Sequence, residues 1–264
     1  MLLSIEGLSV SFRNDEGAVT RAAQEVSLTL DRGEVLGIVG ESGSGKSSVA
    51  MSVPRLLPSP PAFYPQGRVR FDGRDTLTMP LPELRRLRGR RIGVVFQDPM
   101  GSLSPLHRIG DQLVETVLLH EDVTKKAARD LALAWLGKVG IPDPALRAKA
   151  FPHELSGGMQ QRVMIAMAMM LGPDLVIADE PTTALDVTIQ AQVLKLMKDL
   201  HCSRSAILLI THDLGVVSQM ATRLAVMKDG RVVETSEDPA AFFASPQHPY
   251  SRALVGEARR MVLA

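Results

Sequence analysis

The segment from Gly40 to Ser47 reads Gly-Glu-Ser-Gly-Ser-Gly-Lys-Ser and matches the pattern G-x-x-x-x-G-K-[ST]. Its glycines let the backbone curl so that successive N–H groups point at a phosphate chain, and the start of the following helix adds partial positive charge. Lys46 can reach β- and γ-phosphate oxygens, and the Ser47 hydroxyl can bind magnesium. The pattern therefore predicts a phosphate-binding loop for a nucleotide.

Two adjacent carboxylates, Asp179 and Glu180, follow the apolar run Leu175–Ala178. In a magnesium–nucleotide site, Asp179 would hold the ion through water, and Glu180 would polarise a water molecule beside the γ-phosphate. The same pair is also common at turns and helix starts, so the assignment depends on the phosphate loop upstream. Together the two segments predict hydrolysis of a nucleoside triphosphate.

Composition limits the other functions open to the chain. It has 264 residues, 45% apolar and 22% charged, with a net charge of +1, so no overall positive field favours nucleic acid. The one cysteine, Cys202, excludes a disulfide framework and fits a reducing cytosol. The first residues alternate like a strand rather than a signal peptide. The longest apolar run, Val163–Leu171, is half of the ~18 residues that a membrane span needs, so any membrane role is expected to be peripheral.

The phosphate loop and the Asp179-Glu180 pair must be positioned by strands that alternate with helices. Alternation of apolar and polar residues predicts half-buried strands at 26–30 and 68–72. Short apolar runs predict buried strands at 34–40, 92–97, 175–178 and 206–210. Asp229-Gly230 between apolar runs predicts a hairpin. From about Asp111 to Gly140 the apolar residues fall at helical spacing, with Thr124 as a helix N-cap. The pattern predicts a discontinuous α/β core with an inserted helical subdomain.

A family resemblance becomes visible at Leu155–Arg162, which reads Leu-Ser-Gly-Gly-Met-Gln-Gln-Arg. This segment, shortly before Asp179-Glu180, resembles the signature of ABC-type ATPases. The family's other motifs are present in the expected order along the chain: Gln97 resembles the Q-loop glutamine, 181–186 the D-loop and His212 the switch histidine. Phe12 stands where the family places an aromatic against adenine. The resemblance covers nearly the whole chain.

The resemblance implies an α/β fold: a P-loop NTPase (RecA-like) core with an antiparallel β subdomain and an inserted α-helical subdomain. The expected bounds are 1–97 and 159–236 for the ATP-binding core, 98–158 for the helical subdomain and 237–264 for a short C-terminal tail without evident chemistry, all in one ABC domain.

The resemblance also implies a role for each motif, with ATP and Mg²⁺ as cofactors. Glu180 would be the general base, His212 would hold the γ-phosphate and the attacking water, and Gln97 would complete the catalytic set. The residues expected to bind ATP are Phe12, Gly40, Glu41, Ser42, Gly43, Ser44, Gly45, Lys46, Ser47 and Ser48. The residues expected to bind Mg²⁺ are Ser47, Gln97 and Asp179.

The signature segment forms a second anion site, because Ser156 and two glycine amides stand at a helix start. One chain already has a phosphate loop, so a second anion site implies the nucleotide of another subunit. The family likewise pairs two nucleotide domains head to tail around two ATP molecules. The residues expected to act in trans are Ser156, Gly157, Gly158 and Asp186.

Further segments resemble the ATPase subunits of peptide and nickel importers: Gln97–Pro105, Ile109–Gln112, Phe151–Glu154 and Ser245–Tyr250. Larger peptide-importer subunits carry a C-terminal cysteine cluster that this sequence lacks, which favours the shorter nickel or metal-chelate type. Expected partners are a second ABC ATPase subunit, identical or paralogous, two membrane permease subunits and, indirectly, an external substrate-binding protein. The expected location is the cytoplasmic face of the cell membrane, as a peripheral protein.

Two features suggest other functions more weakly. The run Arg85–Arg91 could bind nucleic acid, but it lacks interleaved aromatics and fits a solvated helix and loop. His201-Cys202 offers two adjacent metal ligands without partners, which is a weak site. A non-transport ABC ATPase that acts on nucleic acid remains the alternative function, and it would need heptad arms or zinc modules for which about sixty residues leave no room.

Overall fold

A computed structural model describes residues 1–182, 185–201 and 204–263 of the chain. Its strands are β1 (Leu3–Arg13), β2 (Val19–Leu30), β3 (Val35–Val39), β4 (Ala62–Phe71), β5 (Arg74–Asp75), β6 (Ile92–Val95), β7 (Leu175–Asp179), β8 (Ala206–Thr211), β9 (Arg223–Lys228) and β10 (Arg231–Ser236). Its α-helices are α1 (Lys46–Ser52), α2 (Leu81–Leu87), α3 (Pro99–Ser102), α4 (Ile109–Leu118), α5 (Lys125–Lys138), α6 (Pro144–Arg147), α7 (Gly157–Met169), α8 (Val187–Leu200), α9 (Leu214–Met220), α10 (Pro239–Ala244) and α11 (Pro249–Leu263).

The chain divides into two compact units. The first unit contains Met1–Leu84 and Ala206–Ala264, and the second contains Arg85–Ser205. The α/β fold with a separate antiparallel sheet, predicted from the sequence, is confirmed. The finer bounds expected for the helical subdomain, 98–158, remain a prediction.

The first unit contains two sets of strands. The antiparallel sheet has the order β2-β1-β4-β5. In the other set β10, β9, β3 and β8 lie side by side, with β3 parallel to both β8 and β9 and β10 antiparallel to β9. Every residue of β3 and of β8 is buried, as expected for apolar runs covered on both faces. The β9–β10 hairpin turns at Asp229-Gly230, where the sequence predicts it.

The C-terminal segment of the first unit contains α11, a helix of 15 residues. The start of this helix is held by Glu234 of β10, whose carboxylate accepts hydrogen bonds from the backbone N–H groups of Gln247 (2.8 Å) and His248 (2.9 Å). Behind these contacts, Phe242 and Tyr250 join a buried apolar cluster with residues of β3, α9 and β9. The tail is therefore part of the core of the first unit.

These hydrogen bonds make one prediction about pH. Burial raises the pKa of Glu234, but the backbone hydrogen bonds from Gln247 and His248 lower it, and the net shift is downward. Because the pKa of Glu234 is lower in the folded than in the unfolded chain, its charged form increases the free energy of unfolding. This contribution is fully present above the unfolded pKa of about 4.3, and it is lost as the pH falls through the folded pKa. We expect Glu234→Gln to cost about 1–2 kcal/mol at pH 7, or about 3–6 °C in Tm.

Thermal unfolding of both proteins at pH 7 and in the acid range checks this expectation. The gap in Tm between wild type and Glu234→Gln should close as the carboxyl group becomes protonated. A gap of constant size down to acid pH would show that the charge of Glu234 does not hold α11.

The second unit combines a parallel strand pair with a helical cluster. Strands β6 and β7 pair in register from Ile92↔Leu175 to Val95↔Ala178. A buried apolar cluster unites α4, α5 and α7, with Leu113, Leu136 and Val163 among its members. Trp135 is half-buried against this cluster. Thr124 caps α5 as expected, since its side chain accepts a hydrogen bond from the N–H of Ala127 (3.2 Å).

Candidate functional site

The phosphate loop lies where the sequence predicts it, between buried strand β3 and helix α1. Within it the Ser44 N–H donates to the Glu41 carbonyl (3.2 Å), which curls the chain. Gly45 is the helix N-cap in the left-handed region, at φ 96°. A Cβ atom there would lie 2.0 Å from the Ala22 carbonyl oxygen, so glycine is required by both conformation and space. The loop therefore has the curled backbone that phosphate binding needs.

Lys46 lies across this loop and is 4% exposed. Its Nζ donates hydrogen bonds to the carbonyls of Gly40 (2.7 Å) and Glu41 (2.8 Å) and contacts Ser44 Oγ at 3.3 Å. Burial of an ammonium group is unfavourable unless partners surround it, and these oxygens supply them. The lysine is thus a fixed positive charge within the loop. The adjacent Ser47 hydroxyl is on an exposed residue.

His212 lies at the same end of the same sheet as the phosphate loop. Strands β3 and β8 are parallel, and Val39 pairs with Thr211, so Gly40 and His212 both follow directly after register partners. Beyond His212, the carboxylate of Asp213 accepts from the Gly215 N–H (2.7 Å) and caps α9. His212 itself is exposed. The strand register, rather than proximity in sequence, brings the predicted switch histidine to the phosphate loop.

In the second unit the register of two parallel strands likewise places Gln97 beside Glu180. Val95 pairs with Ala178 in the parallel strands β6 and β7, and both side chains emerge two residues further on. The Gln97 amide Nε2 donates to the Glu180 carboxylate at 3.2 Å. Asp179, the last residue of β7, is 7% exposed, whereas Glu180 adopts a left-handed φ of 46° at the bend that follows. Two of the three predicted catalytic residues are therefore in direct contact.

A buried glutamine of the signature helix holds the segment after Glu180. Gln161 is 2% exposed, and its Nε2 donates to the Pro181 carbonyl at 2.6 Å. Its position within the Leu155–Arg162 segment was visible in the sequence, but no pattern indicated this role. Gln161 connects α7 to the chain that carries the predicted general base.

The predicted trans-acting residues lie at the starts of α7 and α8, and these helix starts approach each other at Gly158 and Ile189. Ser156 caps α7, accepting from the Met159 N–H (3.4 Å), and Asp186 caps α8, accepting from the Ile189 N–H (2.9 Å). A Cβ at Gly158 would lie 2.9 Å from Ile189 Cγ2, so only glycine permits this close approach of the two helix starts. Ser156 and Asp186 are exposed. Thr183 and Ala184 of the D-loop motif lie outside the described residues.

Phe12, predicted to stack on adenine, lies in β1 opposite Thr20 of β2 and Ala62 of β4 and is half-buried. Of the other residues predicted to bind ATP, Glu41, Ser42 and Gly43 are exposed on the phosphate loop, and Ser48 is half-buried. For magnesium, the predicted donors are a hydroxyl on Ser47, an amide oxygen on Gln97 and a carboxylate on Asp179, which are the hard oxygen ligands that Mg²⁺ prefers.

The features that suggested other functions have structural partners. In the arginine run, Arg90 pairs with Glu121 (2.9 Å) and Arg91 with Asp174 (2.6 Å). A ring nitrogen of His201 lies within hydrogen-bonding distance of the Ser205 carbonyl (3.1 Å), and Cys202 lies outside the described residues. Across the described ranges no group of three or more His, Cys, Asp or Glu residues is arranged to hold a metal ion. No helix in the described part of the chain has the length and apolar character to cross a membrane.

The phosphate loop follows one buried parallel strand, β3, and an Asp-Glu pair stands at the end of another, β7. This combination defines a P-loop nucleoside triphosphatase. The family model for the ABC transporter matches residues 23–183, and the chain belongs to that family. The chain is 49% identical to the oligopeptide transport ATP-binding protein OppD of Bacillus subtilis (strain 168), over 96% of this chain and 71% of that protein. It is 48% identical to the dipeptide transport ATP-binding protein DppD of the same strain, over 99% of this chain and 78% of that protein.

Among solved structures, the chain resembles a dimeric structure of the ATP-binding cassette MJ0796 in a post-hydrolysis state with ADP and Pi. The TM-score is 0.79 at 28% identity, and the match covers 89% of this chain and 98% of that one. The resemblance to ABC-type ATPases inferred from the motifs is confirmed. The relatives named here give no support to the alternative of a nucleic-acid ATPase.

Proposed function

We propose that this chain is the ATP-binding and ATP-hydrolysing subunit of an ABC importer for peptides. The observation that carries the proposal is the identity of 49% to an oligopeptide transport ATP-binding protein, spread over 96% of the chain. Similarity of this extent includes both units and not the phosphate loop alone. The named relatives favour peptides as the transported substrate over the nickel or metal chelates that the sequence also suggested.

For ATP binding we propose that Lys46 neutralises β- and γ-phosphate charge while the amides of residues 43–48 surround the phosphates. The curled loop and the fixed ammonium group support this role, because donors that are already in position need little reorganisation when the ligand binds. Phe12 stacks on the adenine ring. Ser47, Gln97 and Asp179 would hold Mg²⁺, which would supply positive charge to offset the negative charge of the triphosphate.

For hydrolysis we propose that Glu180 accepts the proton of the attacking water and that His212 holds the γ-phosphate. The amide of Gln97 donates to the Glu180 carboxylate and so fixes its orientation. A carboxylate that is oriented in advance needs only to receive the proton as the water attacks. Catalysis is then mainly positioning and neutralisation of phosphoryl charge.

For the active assembly we propose a head-to-tail dimer with a second ABC ATPase subunit, identical or paralogous. Ser156, Gly157, Gly158 and Asp186 then act on the nucleotide held by the other subunit. The exposure of Ser156, Gly157 and Asp186 at the starts of α7 and α8 supports this role, since these helix starts are accessible to a partner. Two permease subunits bind the helical subdomain after Gln97, which places the chain at the cytoplasmic face of the cell membrane. An external substrate-binding protein delivers the peptide.

Two assays test the proposal. A strain that lacks this chain should lose uptake of labelled dipeptides or oligopeptides and regain it with the wild-type chain, while nickel uptake stays unchanged. The purified complex should contain permease subunits and no nucleic acid. If nickel uptake fails and peptide uptake persists, the peptide assignment is wrong; if DNA co-purifies and permeases do not, the transport assignment is wrong.

A further inference from the structure

The C-terminal helix reaches the phosphate loop through one side chain. The backbone N–H of Glu41 donates a hydrogen bond to the phenol oxygen of Tyr250 at 3.0 Å, across 209 residues of sequence. Tyr250 belongs to α11, in the segment that was predicted to carry no evident chemistry. In the structure a side chain of this tail contacts the phosphate loop, a contact that the sequence did not indicate.

Tyr250 is itself held firmly. The residue is 9% exposed and joins the apolar cluster that contains Val39, the last residue of β3 before the phosphate loop. Lys228 Nζ lies 4.9 Å from the ring centroid, a cation–π arrangement. Burial raises the pKa of the phenol, so it remains neutral at physiological pH. The packing of the ring in this cluster holds the phenol oxygen where it accepts the Glu41 N–H.

Tyr250 and Lys46 both form hydrogen bonds with one peptide unit of the loop. Tyr250 accepts from the Glu41 N–H, and Lys46 Nζ donates to the carbonyl of Gly40 (2.7 Å), which belongs to the same peptide unit. The second half of the loop has a different support, since the Gly230 N–H donates to the Ser44 carbonyl (3.1 Å). Tyr250 therefore fixes the part of the loop that orients the lysine.

We propose that Tyr250 is a positioning residue that holds the phosphate loop, and through it Lys46, in the shape that binds ATP. The inference rests on the proposed function, since it concerns the affinity of that site for ATP. Because the loop is already ordered in the nucleotide-free protein, less conformational entropy is lost when the nucleotide binds. Without the phenol oxygen, the Glu41 amide loses its acceptor and the loop must be ordered by ATP itself.

Tyr250→Phe is the test, because it removes the oxygen and keeps the ring in its cluster. We expect the Kd for ATP to rise about five- to tenfold, the size of one lost hydrogen bond, with kcat at saturating ATP within about twofold. The matched control is Tyr64→Phe, which changes the chain's other tyrosine, in β4. The control should leave Kd within about twofold.

Amide hydrogen exchange of the nucleotide-free protein provides a readout that does not depend on ATP. In Tyr250→Phe the Glu41 amide should exchange faster, while the Gly230 amide, which supports the other half of the loop, should not change. An unchanged Kd overturns the proposal even if Tm falls, because the tyrosine would then serve stability alone. If wild-type protein binds no ATP, the proposed function fails, and an unchanged Glu41 exchange rate would then also show that Tyr250 does not hold the loop.

Discussion

Glu180→Gln is expected to slow ATP turnover at least about 100-fold, since removal of a general base typically costs 10²–10⁴ in rate. The glutamine has the same size, and its amide oxygen can still accept from Gln97, so the local geometry should survive. The neutral amide cannot take a proton from water. Because binding does not need that proton transfer, ATP affinity should stay within about threefold, and the ATP-bound dimer should accumulate.

Steady-state phosphate release and size-exclusion chromatography with ATP measure these two effects. Glu6→Gln serves as the control, because Glu6 is a surface carboxylate paired with Arg70 (3.3 Å), and such exposed pairs contribute little. The control should hydrolyse ATP at the wild-type rate. Near-normal hydrolysis by Glu180→Gln would remove Glu180 from the role of base.

Lys46→Ala is expected to raise the Kd for ATP about 30- to 100-fold, the effect of losing a charged hydrogen-bond donor to phosphate. The fixed ammonium is 4% exposed and lies within hydrogen-bonding distance of three oxygens of the loop. Its removal takes away the positive charge and leaves two loop carbonyls without this donor. The loss should therefore appear in binding itself, before any effect on the chemical step.

Isothermal titration calorimetry with ATP measures this loss, and circular dichroism reports whether the variant stays folded. Lys198→Ala, which removes an exposed lysine of α8, is the matched control and should bind ATP as wild type does. Unchanged affinity in a folded Lys46→Ala protein would contradict the phosphate-loop assignment.

The two substitutions separate binding from chemistry. Glu180→Gln should leave the protein able to bind ATP and unable to turn it over, whereas Lys46→Ala should prevent the binding on which turnover depends. Tyr250→Phe should have a third pattern, with weaker ATP binding and an almost unchanged kcat. The pattern across the three variants tests whether the phosphate loop and the carboxylate act in successive steps of one reaction.

Contiguous features were readable from the sequence because each depends on neighbours along the chain. The Gly40–Ser47 loop, the buried run of β7 and the Asp229-Gly230 turn need only local backbone preferences and the burial of short apolar runs. The same holds for Thr124, which caps α5 as predicted. The motif order was sufficient to identify the family.

Contacts between distant segments were decided by tertiary structure. Gln97 meets Glu180 because β6 pairs with β7 in one register, and a shift of that register would separate the two side chains. Gln161 looked like part of a motif, but its hydrogen bond to the Pro181 carbonyl depends on how α7 packs.

What the sequence determined by itself is the set of chemical groups and the local structure that displays each one. What only the tertiary structure decided is which groups touch, including the Glu41 amide and the Tyr250 phenol. The physical reason is that a hydrogen bond depends on distance and direction in space, and these follow from strand register and core packing rather than from the order of residues.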